Sequence, residues 1–249
     1  MNPGLRTGLG LARSLAIYRA RPWIVPRLAA FYRGFLRPGD LAFDIGAHAG
    51  NRSRALAAAG ARVVALEPQR AFHALLARSL PPGVTLLKLA AGPAPGRAEL
   101  AVSRLHPTVS SLAPGFADRM ARSPGFAGVR WDARESVEVT TLDALIAAHG
   151  TPGFVKIDVE GFEAEVLAGL SRPIAMIALE ALPETPEITR AAMDRLGRLG
   201  PYRYNFVAGE RARFAWPEWR GPEDARAALA DPSRRGGDLY ARLDAPRDA

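Results

Sequence analysis

The chain has 249 residues, 48% of them hydrophobic and 23% charged, the balance of a globular domain with its own core. With no cysteine, a disulfide framework, thiolate-bound zinc, iron–sulfur clusters and a thiol nucleophile are all excluded. The net charge of +8 is concentrated in the first 39 residues, which hold seven arginines and no acid, so the rest of the chain is within one charge of neutrality and lacks the broad basic face that nucleic-acid binding needs.

Residues 1–39 form a basic arm. Arg13, Arg19 and Arg21 interrupt every apolar stretch, so a secretory signal is not expected. No apolar run approaches the roughly 18 residues of a membrane span. Two helices are predicted, over Leu9–Ala20 and Pro26–Leu36, the second with Leu28, Phe31 or Tyr32, and Phe35 at helical spacing. The arm reads either as a helical cap on the domain or as an amphipathic surface for anionic lipid or a phosphorylated carrier. The expected location is cytoplasmic, with peripheral membrane contact through residues 1–39.

Residues 40–249 read as one Rossmann-like domain. Leu41–Ile45 is a short buried strand, followed by the turn Gly46-Ala47-His48-Ala49-Gly50 and a helix from Asn51 to about Ala59. Arg62–Leu66 is the next strand and closes on Glu67-Pro68. This is a βαβ unit with a glycine turn and an acid after its second strand, where a carboxylate can accept from both hydroxyls of a ribose. The spacing D-x-G-x-x-x-G lacks the middle glycine of a dinucleotide site, and Asp44 beside the turn would repel a diphosphate. S-adenosylmethionine (SAM) has an ammonium, a sulfonium and a ribose but no phosphate, and it fits better than NAD or FAD.

After the third strand, Val84–Gly92 offers no side-chain acceptor for an adenine, so backbone groups and packing at Ala90 and Ala91 are expected to hold it. Lys88 and Lys156 are the two lysines in a chain with 31 arginines. Residues 106–134, rich in Gly, Pro and Arg, read as an insert or lid. Thr140 with Asp143 reads as a helix-start cap. Phe154–Ile157 is a central strand with Asp158 at its carboxyl end and a helix to about Leu167, and Ile174–Leu179 is the strand after it. A helix within Pro183–Leu199 and strands at Tyr202–Val207, Arg211–Trp216 and Asp238–Leu243 follow, with the Trp216-Pro217-Glu218-Trp219 corner assigned to the core.

Asp44–Gly50, Ala65–Pro68, Val109–Leu112, Val139–Asp143 and above all Val155-Lys156-Ile157-Asp158-Val159-Glu160-Gly161-Phe162-Glu163 resemble the FkbM-type SAM-dependent methyltransferases, over roughly residues 40–182. The resemblance implies a class I methyltransferase fold: α/β, a doubly wound, mostly parallel seven-stranded sheet with an antiparallel edge strand, here preceded by the helical arm. It implies that Asp44, Gly46, Gly50 and Glu67 bind the cofactor, with Ala47 in the same turn, and that Asp158 and Glu160 lie at the methyl-transfer mouth. His48 departs from the Asn usual in the family.

The expected chemistry is transfer of a methyl group to a hydroxyl of a small molecule, a sugar or a lipid-linked glycan, with no metal required. Asp158 is the candidate base or acceptor-orienting group, unless it only contacts the cofactor or caps the following helix. Glu160 is a weaker candidate, since first-turn acids also serve the helix dipole. Lys156, mid-strand, is expected to pair with Glu180. His48 can reach an acceptor or hydrogen-bond locally, and His106 can be delivered by the lid. Ser110 and Ser111, by the resemblance, line the acceptor pocket; otherwise they cap a helix at Leu112. Competing classes are an N-methyltransferase of RNA or protein, a non-catalytic SAM-binding module and, last, a nicotinamide enzyme.

Overall fold

The computed structural model describes residues 2–123, 126 and 128–244, so residues 124, 125 and 127 of the expected insert and the last five residues lie outside it. Strands β1 (Leu41–Ile45), β2 (Arg62–Leu66), β3 (Val84–Leu87), β7 (Phe154–Ile157), β8 (Met176–Ala181), β9 (Tyr202–Ala208) and β10 (Gly237–Leu243) form one sheet in the order β3-β2-β1-β7-β8-β10-β9. The first five in that order run parallel; β10 is antiparallel to both of its neighbours and so lies one position in from the edge strand β9. Every residue of β1 and β7 is buried, as expected of central strands covered on both faces. Phe43, Val155, Ile157, Ile177 and Leu179 face helices α6 (Leu142–His149), α7 (Glu163–Ala168) and α8 (Pro186–Leu199). Ala42, Phe154 and Ala178 face α2 (Ile24–Tyr32) and α3 (Asn51–Ala58).

The strand order reverses between β1 and β7, and at such a switch the carboxyl ends of the two strands leave a crevice. A smaller sheet, β4 (Ala90–Ala91), β6 (Ala133–Thr140) and β5 (Gly96–Val102), stands beside that crevice. The expected insert is the long connection between β5 and β6, and it contains a 3₁₀ turn at Pro107–Val109 and helix α5 (Phe116–Met120).

The arm folds as a cap. Helix α1 spans Pro3–Arg19, and α2 starts two residues earlier and ends four residues sooner than the predicted Pro26–Leu36. Tyr32 and Phe35 pack on Phe154 at ring distances of 5.6 and 5.4 Å. Residues 211–216 are not a strand. The Asn205 side chain accepts from the Trp216 backbone N–H and donates to its carbonyl, capturing the groups a ladder would use. Trp216 rests on Phe206 and Trp219 on Phe214, in keeping with a packing role for that corner. The cap of α6 is Thr141 rather than Thr140: its hydroxyl accepts from the Ala144 N–H at 3.0 Å.

Candidate active site

The turn after β1 is tied to its neighbours on both sides. Gly46 and Ala47 donate backbone N–H groups to the Leu66 carbonyl at 3.0 and 2.9 Å, and the Asp158 N–H donates to the Ile45 carbonyl at 2.9 Å. Gly46 has φ +84°, and a Cβ there would lie 1.9 Å from the Asp158 carbonyl oxygen. Glycine at 46 is therefore what lets the ends of β1 and β7 meet. His48 holds φ +47°, a left-handed conformation uncommon for a non-glycine residue. That geometry points the His48 N–H at the Glu67 carboxylate, 2.8 Å away, and the Gln69 N–H reaches the other oxygen at 2.8 Å. Burial raises the Glu67 carboxyl to about 8 despite these two donors. A carboxylate has about four acceptor positions, so roughly two remain for a diol.

Glu67 opens onto a cleft bounded by the β1 turn, β4 and the insert, with about 470 Å³ of free space counted together with the solvent at its mouth. Leu66, Leu89, Ala90, Ala91, Leu100, Leu112 and Phe162 give it apolar walls, and Pro107 and Ser110 of the insert also line it. Its acidic lining is Glu67 and Asp158; neither lysine nor arginine is among the lining residues. A diphosphate would find no counter-charge there, whereas a cation with a ribose and a flat apolar base meets carboxylates and hydrocarbon. The residues present thus fit SAM: Glu67 for the ribose hydroxyls, the leucine and alanine walls for the adenine, and the acidic end near Asp158 for the positive end.

Behind this cavity, Lys156 is fully buried and lies 3.3 Å from Asp158 and 3.1 Å from Asp238; Arg52 reaches Asp238 at 2.9 Å. The expected Lys156–Glu180 pair does not form. Lys156 lies opposite Ala178 in the parallel register, so Glu180 falls two residues further on, level with Asp158, and Asp238 of β10 supplies the partner. Burial alone would raise the Asp158 carboxyl; the nearby Lys156, His48 and Arg52 outweigh it and hold the group below the usual range. Carboxylate oxygens of Asp158, Glu160 and Glu180 lie within 4.8 Å of one another. Burial, reinforced by their acidic neighbours, raises Glu160 and Glu180 well above the usual carboxylate range.

Of the residues expected from the sequence, Gly46, His48, Glu67, Ala90, Ala91, Ser110 and Asp158 line the cavity. Asp44, Ala47, Gly50, Glu160, Ser111 and His106 stand outside its wall. Asp44 is buried and accepts from the Ser53 hydroxyl; burial raises it to about 6, and its Oδ1 has no hydrogen-bond partner. Gly50 has φ +82°, and a Cβ there would meet Leu76, a packing reason for glycine. Ser111 donates to the Glu160 carbonyl at 2.6 Å and fixes the insert to the acidic turn. Burial lowers the His48 and His106 rings below the usual imidazole range. Sequence reasoning missed Gln69, Leu100, Leu112 and Phe162 of the wall and the place of Glu180 in the acidic cluster. Only Glu180 left a signal: it lies two residues beyond Ala178, the register partner of Lys156, on the same face of β8 and level with Asp158.

The family model for the methyltransferase FkbM domain matches residues 44–199. Among solved structures, the precorrin-6y C5,15-methyltransferase from Geobacter metallireducens is similar at 16% identity and a TM-score of 0.45, over 87% of this chain and 86% of that one. A SAM-dependent O-methyltransferase from Thermotoga maritima is similar at 12% identity and a TM-score of 0.43, over 89% of this chain and 66% of that one. No curated protein matches the chain. The family match spans most of the chain and contains the β1 turn, Glu67, Asp158 and Glu160: the chain belongs to the FkbM family of SAM-dependent methyltransferases.

Proposed function

We propose that this methyltransferase acts on a hydroxyl group of a small molecule, a sugar or a lipid-linked glycan. The observation that supports this reading is the acidic cluster beside the cavity: an Asp158 carboxylate kept ionised by Lys156, with the Glu160 and Glu180 carboxyls within 4.8 Å of it. Bound SAM supplies an electrophilic methyl group on a sulfonium. Asp158 takes the proton of the acceptor hydroxyl as its oxygen attacks, a contribution of roughly 10²–10⁴-fold. Glu160 and Glu180 orient the acceptor through further hydrogen bonds, and holding it in line accounts for ~7–11 kcal/mol of the barrier. Glu67 and the apolar walls fix the other end of the cofactor, and the insert, held by Ser111, excludes water.

An RNA or protein N-methyltransferase is less well supported. Its sites often carry Asn/Asp-Pro-Pro-Tyr/Phe to grip a planar amine, and here the turn reads Asp158-Val159-Glu160-Gly161. Incubation with methyl-labelled SAM and a panel of polyols, sugars, lipid-linked saccharides, RNA and peptides tests the assignment. Label in an alkali-stable ether is the expected result; label in N-methyl products overturns it.

A further inference from the structure

Helix α1 leaves part of its apolar surface in water. Its inward residues are small or polar: Gly10 and Ser14 are buried, and a Cβ at Gly10 would lie 2.0 Å from the Arg104 carbonyl oxygen. Leu11 and Leu15 are half-buried, but two further leucines face outward. Leu5 is 57% exposed and Leu9 49%, and Ala12 and Ala16 are exposed too. At about 100° per residue, positions 5, 9, 12 and 16 fall within an arc of about 60°, a continuous stripe. Arg13, exposed and with no carboxylate partner among the described residues, and Arg6, 3.5 Å from Asp132, follow on one flank of that stripe. Leu105, on the loop that Gly10 touches, is 39% exposed, and Trp23, between α1 and α2, is also exposed.

The exposed stripe headed by Leu5 and Leu9 buries nothing against the domain. With its arginine flank, in an arm of seven arginines and no acid, it matches a surface that is apolar beneath and negative above. We propose that this outer face of α1, with Leu105 and Trp23, docks on an anionic lipid bilayer. The inference is independent of methyl transfer. It does have a bearing on the site: the inner face of α1 packs against the loop and 3₁₀ turn that carry Leu105 and the cavity-lining Pro107.

Vesicle co-sedimentation of the full chain at low salt tests this, with vesicles of phosphatidylcholine alone and of phosphatidylcholine mixed with phosphatidylglycerol. The protein is expected to sediment with the mixed vesicles, to stay in solution with the neutral ones, and to be released by salt. The double variant L5E/L9E should lower the partition by about tenfold or more, since it replaces two membrane-facing apolar groups by charges. Arg13→Ala should lower it about fivefold. If L5E/L9E does not fold, quenching by brominated phosphatidylglycerol decides: quenching in the native protein that is lost in Trp23→Phe supports docking. No sedimentation, equal sedimentation with neutral vesicles, a folded L5E/L9E that binds as well as the native protein, or no quenching overturns the proposal. So does a dimer in sedimentation velocity that L5E/L9E dissolves, which would assign the face to a second copy of the chain.

Discussion

Gly46→Ala probes the junction on which the site depends. Glycine at 46 has φ +84°, and an added Cβ would meet the Asp158 carbonyl oxygen at 1.9 Å, a backbone atom with no rotamer to escape into. The left-handed backbone costs a non-glycine residue about 1–2 kcal/mol. Overpacking against fixed atoms adds about 1–3 kcal/mol. Loss of unfolded-chain entropy returns only about 0.4–1 kcal/mol. The expected net loss is about 2–4 kcal/mol, which in a domain of this size lowers Tm by roughly 4–16 °C. Relief of the clash moves Asp158 away from β1, and a displacement of about 1 Å costs on the order of 10²-fold in turnover. Gly39→Ala separates the two causes: Gly39 has φ +89°, with nothing near its missing Cβ, so that variant bears the backbone cost alone. Thermal melts and SAM titration calorimetry of both variants measure the difference. A Gly46→Ala protein with the Tm and SAM affinity of Gly39→Ala would refute the argument that the two strand ends meet through this glycine.

Asp158→Asn should lose about 10²–10⁴-fold in turnover while SAM affinity changes only severalfold, in single-turnover assays and calorimetry; equal losses in both would make Asp158 a cofactor ligand only. Lys156→Met leaves Asp158 without its cation and Asp238 with Arg52 alone. The acid limb of the pH–rate profile should then move to higher pH, and an unmoved limb would contradict the positioning role of Lys156. Asp44, Glu67 and Glu163 have folded-state carboxyls raised to about 6, 8 and 7, so between roughly pH 4 and 8 the folded chain binds more protons than the unfolded one. Thermal stability without cofactor should therefore fall as pH rises through that window, and Glu67→Gln should flatten the fall between about pH 5 and 8. A Tm that climbs across the window would show that these groups are not buried as described.

The sheet and its switch point were legible because they rest on local patterns. Leu41–Ile45 and Phe154–Ile157 are short, mostly apolar runs, each with one charged residue (Asp44, Lys156), ended by a glycine turn or an acid, and buried parallel strands leave that mark. Glu67 was legible for the same reason, as the residue that closes β2. The sequence left less trace of what depends on neighbours distant in the chain. The partner of Lys156 is set by the placement of β10 between β8 and β9, which no local spacing encodes. The pocket wall at Leu100 and Leu112 comes from a second small sheet and a long connection whose composition carries no period. Residues 211–216 alternate as a strand should, but the Asn205 side chain takes the backbone groups of Trp216. Asp44 was expected at the ligand from its distance to the glycine, yet strand alternation turns it to the side of Ser53, away from the cavity wall.

The central claim is that the cavity beside Glu67 accepts a phosphate-free, positively charged nucleoside. Calorimetric titration of the purified chain with SAM and, in parallel, with NAD measures this most directly. Saturable binding of SAM at one site, abolished or severely weakened in Glu67→Ala, and no heat with NAD is the predicted outcome. Saturable uptake of NAD with none of SAM, or a Glu67→Ala protein that binds SAM as tightly as the native chain, would contradict it.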